Sequence, residues 1–275
     1  MDLEKYLQRI GFVGTASPDL FTLKRIHRRH AEHIPYENLA VQFETPVTRS
    51  PVDAFEKIVI KRRGGWCYEM NGLLGWALEE IGFNVRRLAG GVHRESLGDE
   101  VVGNHLVLLV DLDRTYIADV GFGDGPIEPV LLEEGQFSNG HFRCRLEQLD
   151  SGWWRYHNDA RGGAPSYDFN ENMTDEALLE RLCIWLQTHE DSSFVQNAVV
   201  QRWRGGEHLS LRGRVLQTLG EEKTTEIISD ADGYVEALKD LFLLDLPSAG
   251  DLWPKICERH EAVFNDENPT AEAAR

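Results

Sequence analysis

The sequence predicts an α+β protein in three parts, because its hydrophobic period changes twice along the chain. Up to residue 83 apolar residues recur at helical spacing. From Asn84 they alternate or run together in short segments broken by glycines and acids, and in the last third hairpin-like strands mix with a further helical pattern. The expected divisions are a helical bundle over 1–83, a small antiparallel barrel or curled sheet over 84–190, and a mixed α/β unit over 191–275. A chain of 275 residues with 41% hydrophobic side chains is long enough to bury a sizeable core.

The elements follow in order. Asp2 caps a short helix through Leu3, Tyr6, Leu7 and Ile10. Ser17-Pro18-Asp19 starts a second, with Ser17 as cap, and Leu20, Leu23 and Ile26 share one face. His27, His30 and His33 lie on this helix among Arg28, Arg29 and Glu32, and read as a solvated basic face, not a metal site. Ile34-Pro35 ends it, since the residue before proline is pushed out of the α region. Ser50-Pro51-Val52-Asp53 opens a third helix, which runs up to the turn at Arg63. There Gly64 and Gly65 allow a sharp turn and close approach, and Cys67 opens a helix carrying Leu73, Leu74, Ala77, Leu78 and Ile81 that ends near Gly82.

Strands are expected at 85–92, at 105–110 with both faces buried, and at 115–120, the last two joined by a turn at Asp113-Arg114; others lie near 142–149 and Trp153–His157. Thr174 is the expected cap of a helix with Leu178, Leu179, Leu182, Trp185 and Leu186. Strands at 209–219 and 224–228 precede a helix with Tyr234, Val235, Leu238, Leu241 and Phe242. The polar stretch 265–272 is expected to be mobile, and the chain carries no internal repeat.

Charge narrows the partners. With 46 acidic against 29 basic side chains the net charge is −17, which repels polyphosphate backbones and argues against nucleic acid. Cys67, Cys144, Cys183 and Cys257 are too far apart for a Cys-x-x-Cys motif and lack histidines at zinc spacing, so neither a metal nor a redox centre is expected. A reduced cytoplasmic setting fits these free thiols. The start Met1-Asp2-Leu3-Glu4-Lys5 lacks the pattern of a signal peptide and no run is long enough to span a bilayer, so a soluble protein without a membrane partner is expected, monomer or homodimer.

Cys67 carries the most chemistry. On the first turn of a helix, unpaired N–H groups and the positive dipole end favour thiolate, the nucleophilic form. A thiolate works best with a base and a group that orients the base. His105 opens one strand and Asp119 closes the next, so a hairpin at Asp113-Arg114 makes them neighbours. A lone buried carboxylate is costly, and a histidine is a suitable partner for it. The glycine-rich loop 121–125 is either a plain turn or an anion-binding nest. Arg202, Arg204, Arg212 and Arg214 are either a solvated strand face or phosphate contacts.

Arg63-Gly64-Gly65-Trp66-Cys67-Tyr68-Glu69-Met70-Asn71 resembles the active-site signature of the arylamine N-acetyltransferases. His33-Ile34-Pro35-Tyr36-Glu37-Asn38-Leu39, the strand from His105 and Asp119-Val120-Gly121-Phe122-Gly123 agree in order and spacing, and the compact length is similar to the bacterial members. The resemblance implies a helical bundle, a β-barrel and an α/β lid around a core like that of the cysteine proteases and transglutaminases. It also implies a ping-pong reaction in which Cys67 takes the acetyl group of acetyl-CoA and passes it to an arylamine, arylhydrazine or N-hydroxyarylamine, with no metal. Cys67, His105 and Asp119 would form the catalytic triad, and the N–H groups of Cys67 and Val92 the oxyanion site. Gly103, Gly123 and Gly125 would meet the cofactor, and Tyr36, Phe122 and Phe194 would line the acceptor pocket. Arg63, Glu37 and Asn71 are read as supports of the cysteine turn, with Arg63 paired to Glu37. The segment 92–99 is individual to this chain and borders the expected acceptor pocket. The same triad order also serves macrolactam-forming amide synthases and cysteine hydrolases or transglutaminase-like enzymes, and a binding protein with a silent triad is a further reading.

Overall fold

The computed structural model describes residues 1–263. Helix α1 (Leu3–Arg9) is capped by Asp2, whose carboxylate accepts the Lys5 N–H at 3.2 Å. Helix α2 (Leu20–His33) starts later than expected. Asp19 is its cap, accepting the Thr22 N–H at 2.8 Å, and Ser17 lies outside the helix. The helix stops at Ile34, which is extended as its proline neighbour requires.

The expected solvated face of α2 is corrected. His27 and His30 are buried with Leu23 and Ile26, and the Tyr6 hydroxyl meets His30 Nδ1 at 2.9 Å. Burial holds His30 well below its ordinary value and His27 down to about 4, so both imidazoles are neutral core groups. The outer face carries Arg28, which pairs with Glu32 and Glu128.

Strand β1 (Tyr36–Glu37) and the short α3 (Leu39–Gln42) follow, then α4 (Pro51–Phe55), capped by the Ser50 hydroxyl and continued by a π-helical turn at Glu56–Ile60. Helix α5 (Cys67–Ile81) ends at Gly82, where φ is +106° and only glycine is unstrained. It is buried along most of its length because its apolar residues point both to the other helices and to the sheet.

The middle of the chain forms β2 (Asn84–Val92), the one-turn α6 (Arg94–Leu97), β3 (His105–Asp111), β4 (Thr115–Ile117), β5 (Val130–Leu131), β6 (Gly135–Asn139), β7 (Phe142–Gln148), β8 (Trp153–His157) and β9 (Ser166–Asn170). These make one eight-stranded antiparallel sheet in the order β5-β4-β3-β2-β9-β8-β7-β6. In a flat sheet its two edges would stand ~34 Å apart. Yet β5 and β6 are consecutive, with three residues between them, a link that spans ~14 Å at most. The sheet must therefore curl until its edges approach, giving a half-barrel and not a fully paired barrel.

Helix α7 (Glu176–Thr188) is capped by Asp175 and not by Thr174: the carboxylate accepts the N–H groups of Ala177 and Leu178 at 2.9 and 3.1 Å and adds negative charge at the helix N-terminus. After α8 (Ser193–Gln196) come β10 (Val199–Arg204), β11 (Glu207–Arg212), β12 (Val215–Leu219), β13 (Lys223–Ile227), α9 (Ala231–Phe242) and α10 (Trp253–Val263). The expected strand at 209–219 is two strands that reverse at Gly213, where φ is +55°.

The second sheet runs β1-β10-β11-β12-β13, so two residues of the first third, Tyr36 and Glu37, edge a sheet built from the last third. Asn38 extends the junction: its amide donates to the carbonyls of Phe194 and Asn197 and accepts from Val199 N–H. The main core joins α1, α2, α5 and the curled sheet; a second core joins Leu39 to the last sheet, α9 and α10. The stretch 265–272 lies outside the described residues.

Candidate active site

The turn before Cys67 is built by close approach. A Cβ on Gly64 would run into the Pro35 carbonyl and one on Gly65 would lie 2.8 Å from Glu69 Cβ, so neither position admits a side chain. Arg63 donates Nε and Nη2 to Glu37 Oε1 at 3.1 and 2.8 Å, and the other Glu37 oxygen accepts Leu39 N–H at 2.6 Å. Burial alone would raise this carboxyl, but Lys57 and Arg63 bring it below its ordinary value. Lys57 also donates to both oxygens of Glu69, and Glu69 accepts the Trp66 N–H at 3.3 Å. Two buried carboxylates thus fasten the turn on either side.

Cys67 is the first residue of α5, buried, with Sγ 3.8 Å from the Asn104 carbonyl. Burial pushes its thiol up, and the N–H groups of Leu106 and Tyr68 pull the other way without cancelling it. Burial thus favours the thiol form of Cys67 where no proton acceptor stands beside it.

His105 begins β3, and its Nε2 lies 2.7 Å from Asp119 Oδ2. Asp119 sits two residues beyond the end of β4, in coil and not within the strand as expected. Asn71, one helical turn after Cys67 and on the same face, donates its amide to Asp119 Oδ1 at 2.7 Å and to the Leu106 carbonyl at 2.6 Å, and accepts Val120 N–H at 2.9 Å. Gly121 N–H adds a bond to Asp119 Oδ1 at 2.8 Å. Burial would raise Asp119, but His105, Asn71 and Gly121 hold it below the usual carboxylate value. A charged Asp119 accepts from His105, so the imidazole donates through Nε2 and keeps Nδ1 as an acceptor.

Cys67 and His105 open on one cavity of about 400 Å³, lined also by Tyr36, Val92, Phe122 and Phe194. Phe122 stands edge-on to the His105 ring with centroids 5.7 Å apart, and Phe194 edge-on to Trp66 at 5.4 Å. The Val92 N–H donates to Asn104 Oδ1 at 2.8 Å and is engaged before any ligand arrives. Cys67 N–H, at the helix start, has no intrahelical acceptor.

Gly103, Gly123 and Gly125 are not among the residues lining this cavity. The Gly103 carbonyl accepts from the Tyr68 hydroxyl at 2.6 Å, and a Cβ there would lie 2.9 Å from the Leu178 backbone. The Gly125 carbonyl accepts from Asn139 and Trp203 at 2.9 and 3.1 Å, and Gly123 packs on Gln201 with φ at +81°.

Of the four clustered arginines, Arg202 and Arg214 donate to backbone carbonyls of Glu32, Leu241 and Ile228, and Arg204 pairs with Glu207; Arg212 lines the cavity. Gly121 was not singled out from the sequence as a site residue. A Cβ there would lie 2.8 Å from Cys67 Cα, so the loop passes directly over the Cys67 backbone. The link from Asn71 to Asp119 had one signal, its i+4 spacing from Cys67. Among the described residues no cluster of three or more His, Cys, Asp or Glu could hold a metal ion, and no helix is long and apolar enough to cross a membrane.

A family described as N-acetyltransferase has a sequence model that matches residues 19–250, which sets the class. An arylamine N-acetyltransferase of Mycolicibacterium smegmatis is 36% identical over 261 residues, 92% of this chain and 94% of its own. The solved arylamine N-acetyltransferase of Mycobacterium marinum superposes with a TM-score of 0.85 at 30% identity, over 94% of this chain and 99% of that one. The M. marinum protein in complex with CoA gives a TM-score of 0.83 at 29% identity, over 94% and 98% of the two chains. The chain belongs to the arylamine N-acetyltransferase family.

Proposed function

We propose that this enzyme transfers acetyl from acetyl-CoA to the nitrogen of an arylamine, arylhydrazine or N-hydroxyarylamine through an acetyl thioester on Cys67. The observation that carries the reading is the opening of Cys67 and His105 on one cavity, with His105 Nε2 held 2.7 Å from Asp119. The CoA complex of the M. marinum relative supports the donor. In this reading residues 1–83 bring the nucleophile, 84–190 the base and acid, and 191–275 a lid whose Phe194, Gln201 and Arg212 wall the cavity.

His105 Nδ1 takes the Cys67 proton while Asp119 steadies the imidazolium through Nε2, so the sulfur ionises together with its counterion. The thiolate attacks the acetyl carbonyl, and Cys67 N–H meets the oxyanion. Collapse expels the CoA thiolate, which leaves with the proton from His105. The acceptor nitrogen then attacks the acetyl-cysteine, His105 takes its proton, and collapse returns the Cys67 thiolate. Asp119 keeps its charge throughout, fixing tautomer and ring orientation. A soft sulfur nucleophile suits a thioester donor because the two sulfurs leave comparably well.

The test is intact-protein mass spectrometry after incubation with acetyl-CoA, comparing wild type with Cys67→Ala and then adding an arylhydrazine. One acetyl group gained only with Cys67 present, and lost to the hydrazine, is the expected result. No retained acetyl group and no released CoA would refute the reading; retention of bulky acyl groups alone would move it to amide synthesis.

A further inference from the structure

The residue after β2, His93, has no part in the steps above, although its side chain lines the same cavity as Cys67 and His105. Its backbone is left-handed, φ +63° and ψ +17°, a conformation uncommon outside glycine. The surrounding turn is bolted down to keep it there. Arg94 stacks its guanidinium 3.7 Å above the Trp153 ring and donates to the fully buried Asp168 at 3.0 Å. On the other side Arg155 grips both Asp168 oxygens at 2.7 and 2.9 Å and reaches Glu95 at 2.7 Å. His93 N–H donates to the Ser166 carbonyl at 3.3 Å, and its own carbonyl accepts from Ser96 and Leu97.

The imidazole itself is half-buried, and among the described residues neither ring nitrogen makes a hydrogen bond. Burial lowers its proton affinity, which favours the neutral ring, and a neutral imidazole offers one donor and one acceptor. Three other polar groups of the cavity are engaged: Asn104 holds Val92, Asp124 accepts from Gly163 and Asn158, and His105 holds Asp119. A polar group on a firmly held turn, without a protein partner, in a largely apolar cavity, is how a binding site sets ligand orientation.

We propose that His93 is a specificity-determining residue that hydrogen-bonds a polar substituent of the acceptor ring remote from the nitrogen that is acetylated. This rests on the acetyltransferase reading. The favoured acceptors are arylamines that carry a hydroxyl or carboxamide away from the amine, over isosteres carrying an alkyl group. Shape alone separates such isosteres poorly, whereas a site that hydrogen-bonds a hydroxyl rejects the analogue lacking it.

The test lets 4-aminophenol and 4-methylaniline compete for one acetyl-enzyme, so that the ratio of their kcat/KM values does not depend on how fast Cys67 is acetylated. The ratio of wild type over His93→Phe should be about ten, the value of one well-placed hydrogen bond. Dividing by the Phe variant removes the intrinsic reactivity difference of the two amines. His93→Asn, which tolerates the left-handed backbone but is too short to reach, should behave like the Phe variant and serves if that one does not fold. An unchanged ratio in either folded variant overturns the proposal while leaving acetyl transfer intact. Absence of an acetyl-enzyme in the wild type would instead overturn both readings.

Discussion

Replacing Asn71 by Asp changes little in shape and much in charge. In the wild type the Asn71 amide donates to Asp119 Oδ1 at 2.7 Å and to the Leu106 carbonyl at 2.6 Å, and its oxygen accepts Val120 N–H. An aspartate at 71 would place a second carboxyl against Asp119 at that distance. With an effective dielectric of 20, two unit charges so close repel by about 6 kcal/mol, enough to hold one shared proton on the pair through neutral pH. That proton replaces the donor to Asp119, but none is left for Leu106, whose buried carbonyl then costs about 1–3 kcal/mol of stability. Acetyl-enzyme formation, followed as CoA release in a rapid-mix assay, should stay within about tenfold of wild type at pH 6. Relative to wild type it should then fall as pH rises, because loss of the shared proton pushes the carboxyls apart and disturbs His105. Asn71→Leu, with neither donor nor charge, should be impaired at every pH. If Asn71→Leu matches the wild type, or if the Asp and Leu variants show the same pH dependence, the argued role of Asn71 as the clamp on Asp119 is wrong.

Two further outcomes concern stability. Glu37→Gln should leave Arg63 without its buried counterion, while Lys57 keeps Glu69, and should take the acceptor from either Arg63 or Leu39 N–H. A loss of about 3 kcal/mol is expected for such a pair, lowering the melting temperature by about 6–12 °C in a chain of this size; an unchanged melting curve would contradict it. Asp124 is buried and its carboxyl is pushed up to about 6, by burial first, against bonds from Gly163 and Asn158. Because its folded value lies above the unfolded one, its contribution to stability is full below about pH 4 and is lost as pH rises through 6. Denaturant unfolding of wild type against Asp124→Asn should therefore show the wild type losing about 2 kcal/mol relative to the variant between pH 4 and pH 7, and a pH-independent difference would refute the assignment.

Local rules in the chain made part of this legible. Asp2 and Ser50 cap the helices they precede, Gly82 ends α5, and the contact of His105 with Asp119 follows from the spacing of two strands around a tight turn. The pairing of Arg63 with Glu37 was readable as the need of a charged turn for a partner. What was illegible depends on which surfaces meet. His27 and His30 sit among charged neighbours in sequence, yet the helix turns them inward, and α2 is amphipathic in a way that residue type alone does not show. Val92 N–H looked free because its partner is the side chain of a residue beyond the intervening turn, Asn104. Strand β9 carries polar residues on buried positions, Asp168 among them, and so lacks the alternation that marks a half-exposed strand. The curl of the large sheet is visible only once strand order and link length are combined.

The junction of Tyr36–Glu37 and Asn38 with the last sheet has a consequence for the order in which the enzyme is made. Asn38 bonds the Phe194 carbonyl across a separation of 156 residues and the Val199 N–H across 161, so during synthesis it leaves the ribosome long before its partners exist. Contacts of such long sequence separation form late, because the loop entropy must be met before they return anything. Tyr36 and Phe194, from the two sides of this junction, both line the cavity. The nascent chain can therefore hold Cys67, His105 and Asp119 and still lack the cavity wall that Phe194, Gln201 and Arg212 supply once the final strands have docked.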